Sequence, residues 1–113
     1  MMNMMRKKTL FGAAFAIGAL TLVGTGCNKL KSRDDLNKGV TAYKNAKYSV
    51  AVDLFQEAIQ LDPENPNARV YLATAYMMQW IPGAVSPENL QFSTRAKEQF
   101  GKVLDKEPNN GVA

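Results

Sequence analysis

The chain has 113 residues, 46% of them hydrophobic, with 14 Lys and Arg against 10 Asp and Glu and no histidine. Such a length supports one small domain that buries only about 60 to 65% of its unfolded surface, enough for a modest core and few buried polar devices. Three of the positive charges, Arg6, Lys7 and Lys8, sit at the front; the other eleven nearly balance the ten acids, which excludes the clustered basic surface that tracking phosphates requires.

Met1 to Lys8 is basic, and Thr9 to Gly26 carries no charge and is rich in Leu, Ala, Phe, Ile and Gly. This is the order of a secretory signal: a basic front, an apolar stretch, and small residues, Gly24 and Gly26, to fit a peptidase cleft. The single cysteine, Cys27, follows directly, and a lone Cys in an exported chain stays free, pairs between chains or is modified. Leu22, Val23, Gly24, Thr25, Gly26 and Cys27 together resemble the lipobox of bacterial lipoproteins, with Gly24 where that pattern usually carries Leu. The resemblance implies cleavage before Cys27, acylation of its sulfur, and a protein exported and lipid-anchored to a cell-envelope membrane, facing the periplasm. Two other outcomes stay open: cleavage leaving a free thiol, and an uncleaved apolar segment just able to cross about 30 Å of hydrocarbon. Residues 27–34 read as a polar tether. Its Lys29, Lys31 and Arg33 either favour anionic lipid head groups or are simply solvated.

Beyond the tether the apolar residues recur at helical spacing. Leu36, Val40 and Tyr43, with small Gly39, Ala42 and Ala46 beside them, predict a helix over 35–44 capped by Asp34 or Asp35. Ala51, Leu54, Phe55, Ala58, Ile59 and Leu61 predict a second, starting near Tyr48 or Ser49 and ended by Pro63. Only Asn45 to Lys47 separate the two stripes, which forces an antiparallel hairpin. Asn65 then Pro66 reads as a cap and first helical residue, opening a third helix carried by Val70, Leu72, Ala73, Ala75 and Tyr76 to about Met78. Ser86, Pro87 and Glu88 repeat that signal for a fourth, with Leu90, Ala96, Phe100, Val103 and Leu104 on its apolar face and Pro108 at its end. No stretch alternates as a strand does. The expected fold is all-α.

The two hairpins read as copies. Gly39, Tyr48, Ala51, Phe55, Ala58, Asp62 and Pro63 in the first, and Leu72, Ala73, Tyr76, Ala96, Phe100, Val103, Glu107 and Pro108 in the second, resemble the tetratricopeptide repeat, a helical hairpin of about 34 residues. The resemblance implies antiparallel hairpins stacked as a short α-solenoid: a repeat domain over 35–113, with repeat one at about 32–65 and repeat two at about 66–110. The second copy carries an insertion near 78–88, whose Trp80 either lies back on the hairpin as a lid or serves as an aromatic anchor for a partner. Each hairpin leaves an apolar face for a neighbour. Since residues 111–113 fall where another first helix would begin, the expectation is a fragment of a longer solenoid, or an end that a partner covers.

The same resemblance implies a protein or peptide ligand along the concave face of the first helices. The matching positions are Arg33, Leu36, Asn37, Val40, Tyr43 and Lys44 in repeat one, and Asn67, Val70, Tyr71, Thr74, Met77 and Met78 in repeat two. Leu36 and Val40 stand where a well-known variant places residues that grip a C-terminal carboxylate, so the groove should read apolar side chains, with Met adapting its shape. Without histidine or a glycine loop for phosphate, the sequence predicts no enzyme, no cofactor, no metal and no small-molecule substrate. Asp53 and Glu57, one helical turn apart, read as solvated side chains rather than an acid and base. The function expected is interaction or scaffolding in the bacterial envelope. The alternatives are the anchored N-terminal module of a larger envelope enzyme and a single-pass membrane accessory subunit.

Overall fold

A computed structural model describes residues 26–113. The expected signal segment, through Thr25, lies outside the described residues. Those described form four helices in sequence: α1 over 26–44, α2 Tyr48–Leu61, α3 Ala68–Gln79 and α4 Pro87–Lys106, with no strand among them. The all-α, stacked-hairpin expectation holds, with α3 packed against both α2 and α4.

α1 starts well before the predicted cap. The stretch expected to be a polar tether is helical, and Asp34 and Asp35 lie inside the helix rather than at its end. The reason is tertiary. Ser32, Asp35, Gly39 and Ala42 recur at spacings of three and four and form the buried side of α1. Ser32 is fully buried, and its hydroxyl donates to the Ala58 carbonyl at 2.7 Å. Lys31 donates to Glu57 on α2 and stands 3.9 Å from Asp35. The hydrogen bond with Glu57, and that carboxylate's charge, raise the Lys31 pKa above its usual value.

The turn into α2 is a Schellman motif. Ala46 takes φ 60°, the Lys47 N–H reaches back to the Ala42 carbonyl at 2.9 Å, and the Ala46 N–H meets Tyr43 at 3.0 Å. Where α1 and α2 cross, contact is closest at Gly39: a Cβ there would lie 2.5 Å from Phe55 Cε1 and 2.7 Å from Cδ1. Phe55 is 1% exposed and has nowhere to move. Gly39→Ala is therefore expected to destabilise by about 1–3 kcal/mol through overpacking. Gly101, in mid-α4, has nothing within 4 Å of its would-be Cβ, and Gly101→Ala should instead stabilise by about 0.5–1 kcal/mol. Urea denaturation of the two variants, read by circular dichroism, checks the opposite signs.

Ala42, Ala51, Val52, Phe55, Leu72, Ala75, Tyr76 and Ala96 make one buried cluster across all four helices. Its polar edges are matched: Tyr76 Oη accepts from Gln56 Nε2 at 2.8 Å, and the Arg95 guanidinium lies 5.9 Å from the Tyr76 ring centre. The entry to α3 is a correction of detail. Asn65 Oδ1 does accept an N–H, that of Asn67 at 3.0 Å, but this makes a turn ahead of the helix, which opens at Ala68. Ser86 caps α4 as expected, accepting from the Asn89 N–H at 3.2 Å, with Pro87 in the first turn.

The insertion is shared between two elements. The connection runs from Trp80 to Ser86, and α4 extends to 20 residues against 14 for α2. Asn89 holds this connection, and the placement of Leu90 is corrected accordingly. Leu90 is 53% exposed, whereas its neighbour Asn89 is 4% exposed. The Asn89 side chain accepts from the Ile81 N–H at 2.6 Å and donates to the Ile81 and Ala84 carbonyls at 2.8 Å each. Leu104, at 37% exposure, is likewise more open than a core position.

Candidate functional site

α1 and α3 lie on the same side of the stack, and the open space between them forms a groove of about 500 Å³. Val40, Tyr43 and Lys44 supply one wall and Asn67, Val70, Tyr71 and Thr74 the other, with Phe55 and Val112 completing the lining. Helical periodicity is what gathers them: Val40, Tyr43 and Lys44 fall within one turn, as do Val70, Tyr71 and Thr74. Two aromatic pairs set the shape. Phe55 stacks on Tyr71 with ring centres 5.7 Å apart, and Tyr43 meets Tyr48 edge-on at 5.3 Å.

Among the described residues, Lys44 is the one charged side chain lining this groove. The Thr74 hydroxyl donates to the Val70 carbonyl at 2.8 Å, so its hydrogen is used within α3. The surface offered to a ligand is thus mainly apolar, with a cation at one edge. It suits an inserted aliphatic or aromatic side chain, with a polar or acidic group nearby. Among the described residues no set of three or more His, Cys, Asp and Glu is gathered where it could hold a metal ion.

Seven of the twelve residues read from the sequence as concave therefore line one groove. The other five do not. Leu36 is half-buried and packs against the core, while Arg33 and Asn37 are exposed on α1 outside the groove. Met77, 51% exposed, lines a separate hollow with Trp80 and residues of α4; Met78 is 50% exposed and lines neither. Met77 and Met78 share the helix face of Val70 and Thr74 but lie one turn farther along, where Met77 borders Trp80 and α4.

Phe55 and Val112 were not among the expected ligand contacts. Phe55 is legible in the sequence as a core residue, and only the missing Cβ at Gly39 lets its ring reach between α1 and α3. Val112 is brought to the rim by Asn110, whose Oδ1 accepts the N–H groups of Val112 and Ala113 at 3.0 and 3.2 Å.

Two stacked helical hairpins leave an open, mainly apolar groove between their first helices, the architecture of a helical repeat. The sequence comparison agrees: residues 42–79, from the end of α1 to the end of α3, match the tetratricopeptide repeat family. That span, about a third of the chain, is similar to a tetratricopeptide repeat, and repeats of this kind typically mediate protein–protein interaction. No curated protein and no solved structure matches the chain.

Proposed function

We propose that this protein is a lipid-anchored interaction module of the bacterial cell envelope, which holds a segment of another protein by an apolar side chain in the groove between α1 and α3. The observation that carries the binding half is the convergence of Val40, Tyr43, Val70 and Tyr71 on one groove. Such a groove gains affinity by taking apolar area out of water, about 25 cal/mol per Å² before the cost of ordering the ligand.

Support for the anchor comes from the order of the sequence: basic front, apolar stretch, small residues, then Cys27, which is exposed. No helix of the described residues is long and apolar enough to cross a membrane. A single acyl chain holds a protein only marginally, so stable attachment requires two or more on Cys27.

The two halves separate in one experiment, in which the natural partner is captured from cells expressing wild type, Cys27→Ser, or Tyr43→Ala with Val70→Ala. Cys27→Ser is expected to leave the membrane fraction and lack acyl mass while still capturing the partner. The double substitution should stay on the membrane and lose capture by about tenfold or more, as expected for removing two central contacts. Undiminished capture by the double variant contradicts the groove; an unmodified Cys27 in wild type contradicts the anchor.

A further inference from the structure

α1 is joined to the rest of the fold almost as soon as it begins. The helix is unbroken over 26–44 and is fastened to α2 from its second turn: Ser32 donates to the Ala58 carbonyl, Lys31 donates to Glu57, and Asp35 and Gly39 are buried on the same side. Only residues 28–31, about one helical turn, stand between Cys27 and the fully buried Ser32. Wherever Cys27 is held, the domain is held within a turn of it.

Residues 26–31 are all exposed. Leu30, at 67%, is the one large apolar side chain that α1 leaves to solvent among the described residues, and it lies on the same side of the helix as Cys27, three positions earlier. Lys29 and Arg33, one turn apart beside it, are exposed and have no acidic partner among the described residues, whereas Lys31 is taken up by Glu57. An exposed leucine flanked by two free cations fits an anionic lipid surface: the apolar group enters the head-group boundary while the long basic side chains reach the phosphates. Past Leu30 the exposed residues of α1 are Arg33, Asp34, Asn37, Lys38, Thr41 and Lys44, all polar. α1 therefore has no apolar stripe with which to lie along a bilayer.

We propose, resting on the lipid anchor put forward above, that the first turn of α1 sits on the bilayer, with Leu30 beside the acyl chains and Lys29 and Arg33 on anionic head groups, and that the rigid helix beyond it holds the groove at a fixed height. At 1.5 Å per residue, Val40 stands about 20 Å along α1 from Cys27. The segment that meets the groove there is the juxtamembrane part of a protein in the same bilayer, because holding both at one height raises their effective concentration.

The test uses protein extracted from membranes and reconstituted into phosphatidylethanolamine–phosphatidylglycerol vesicles with spin-labelled lipids, which quench tryptophan on contact. One reporter is Trp80, the single tryptophan of the chain; the other is Leu30→Trp combined with Trp80→Phe. α2 and α3 each reverse the chain, so Trp80, just after α3, lies level with the far end of α1. Position 30 is expected to lose about half of its emission or more, and Trp80 to lose none. Quenching of Trp80 as strong as that at position 30 means a domain that swings or lies on its side, and overturns the inference; an unquenched position 30 does the same. Intact mass of the same sample separates the two readings. Cys27 without acyl mass overturns the anchor and this inference together, whereas acylated protein with the wrong quenching overturns this inference alone. In cells, a helical insert of seven Ala, Glu and Lys residues after Asn28 raises the groove by about 10 Å and is expected to cut capture of the partner about tenfold. Undiminished capture by that acylated variant overturns the partner in the same bilayer.

Discussion

Phe55→Ala is expected to abolish cooperative unfolding at ambient temperature or to lower Tm by about 15–30 °C, the shift that a loss of roughly 3–5 kcal/mol produces in a domain of this size. The ring is 1% exposed, fills the gap above Gly39 and stacks on Tyr71, so it joins α1, α2 and α3 at one point. No neighbour is placed to collapse into the hole, because Gly39 has no side chain and Ala42 and Ala51 are already short. A domain this small has only a few kcal/mol in hand. Thermal denaturation followed by circular dichroism reads the effect directly, and a shift of only a few degrees would mean that the helices are held together elsewhere. The same substitution removes a groove contact, so binding measurements on it report folding and recognition together. Tyr43 and Val70, less buried, are the better positions for testing recognition.

The second large effect is expected at Asn89. Its carboxamide makes three hydrogen bonds to the backbone of Ile81 and Ala84, and it is the side chain that gives the connection between α3 and α4 its shape. Asn89→Ala should destabilise by about 2–3 kcal/mol and raise amide exchange across residues 81–86 by tenfold or more. Asn89→Asp should be no milder. A carboxylate still accepts from the Ile81 N–H but turns an acceptor toward the two carbonyls that Nδ2 now satisfies. Hydrogen exchange separates the accounts, because a connection held mainly by Trp80 packing would exchange alike in wild type and both variants.

Much of this architecture is written in local pattern. The stripe of Ala51, Phe55 and Ala58 marks α2 because those residues are both apolar and inward-facing, and Ser86 with Pro87 marks the start of α4 through chemistry that acts within one turn. The first half of α1 escapes such reading because its buried side is made by Ser32 and Asp35. Only the Ala58 carbonyl, 26 residues away, shows why a serine there is fully buried. Leu90 and Asn89 exchange their expected roles for a similar reason. Hydrophobicity assigns the core position to leucine, and the carbonyls of the preceding connection claim it for asparagine. In the groove, the residues one turn apart on α1 and on α3 were named through the resemblance to the tetratricopeptide repeat, and the structure places them side by side. The departure of Met77 and Met78 from it was not legible, because that depends on the long connection and on how α4 packs against α3.

The most direct test of the central claim is site-specific photo-crosslinking in living cells, with the photoreactive residue at Tyr71 in the groove or at Gln60, which borders a separate hollow bounded by α2, α3 and α4. The account predicts one partner species crosslinked from position 71, through a segment bearing an apolar side chain, and lost when Val70→Ala is added to Tyr43→Ala. Crosslinks of equal yield from both positions, or from position 60 alone, would show that the groove between α1 and α3 is not where this protein holds its partner.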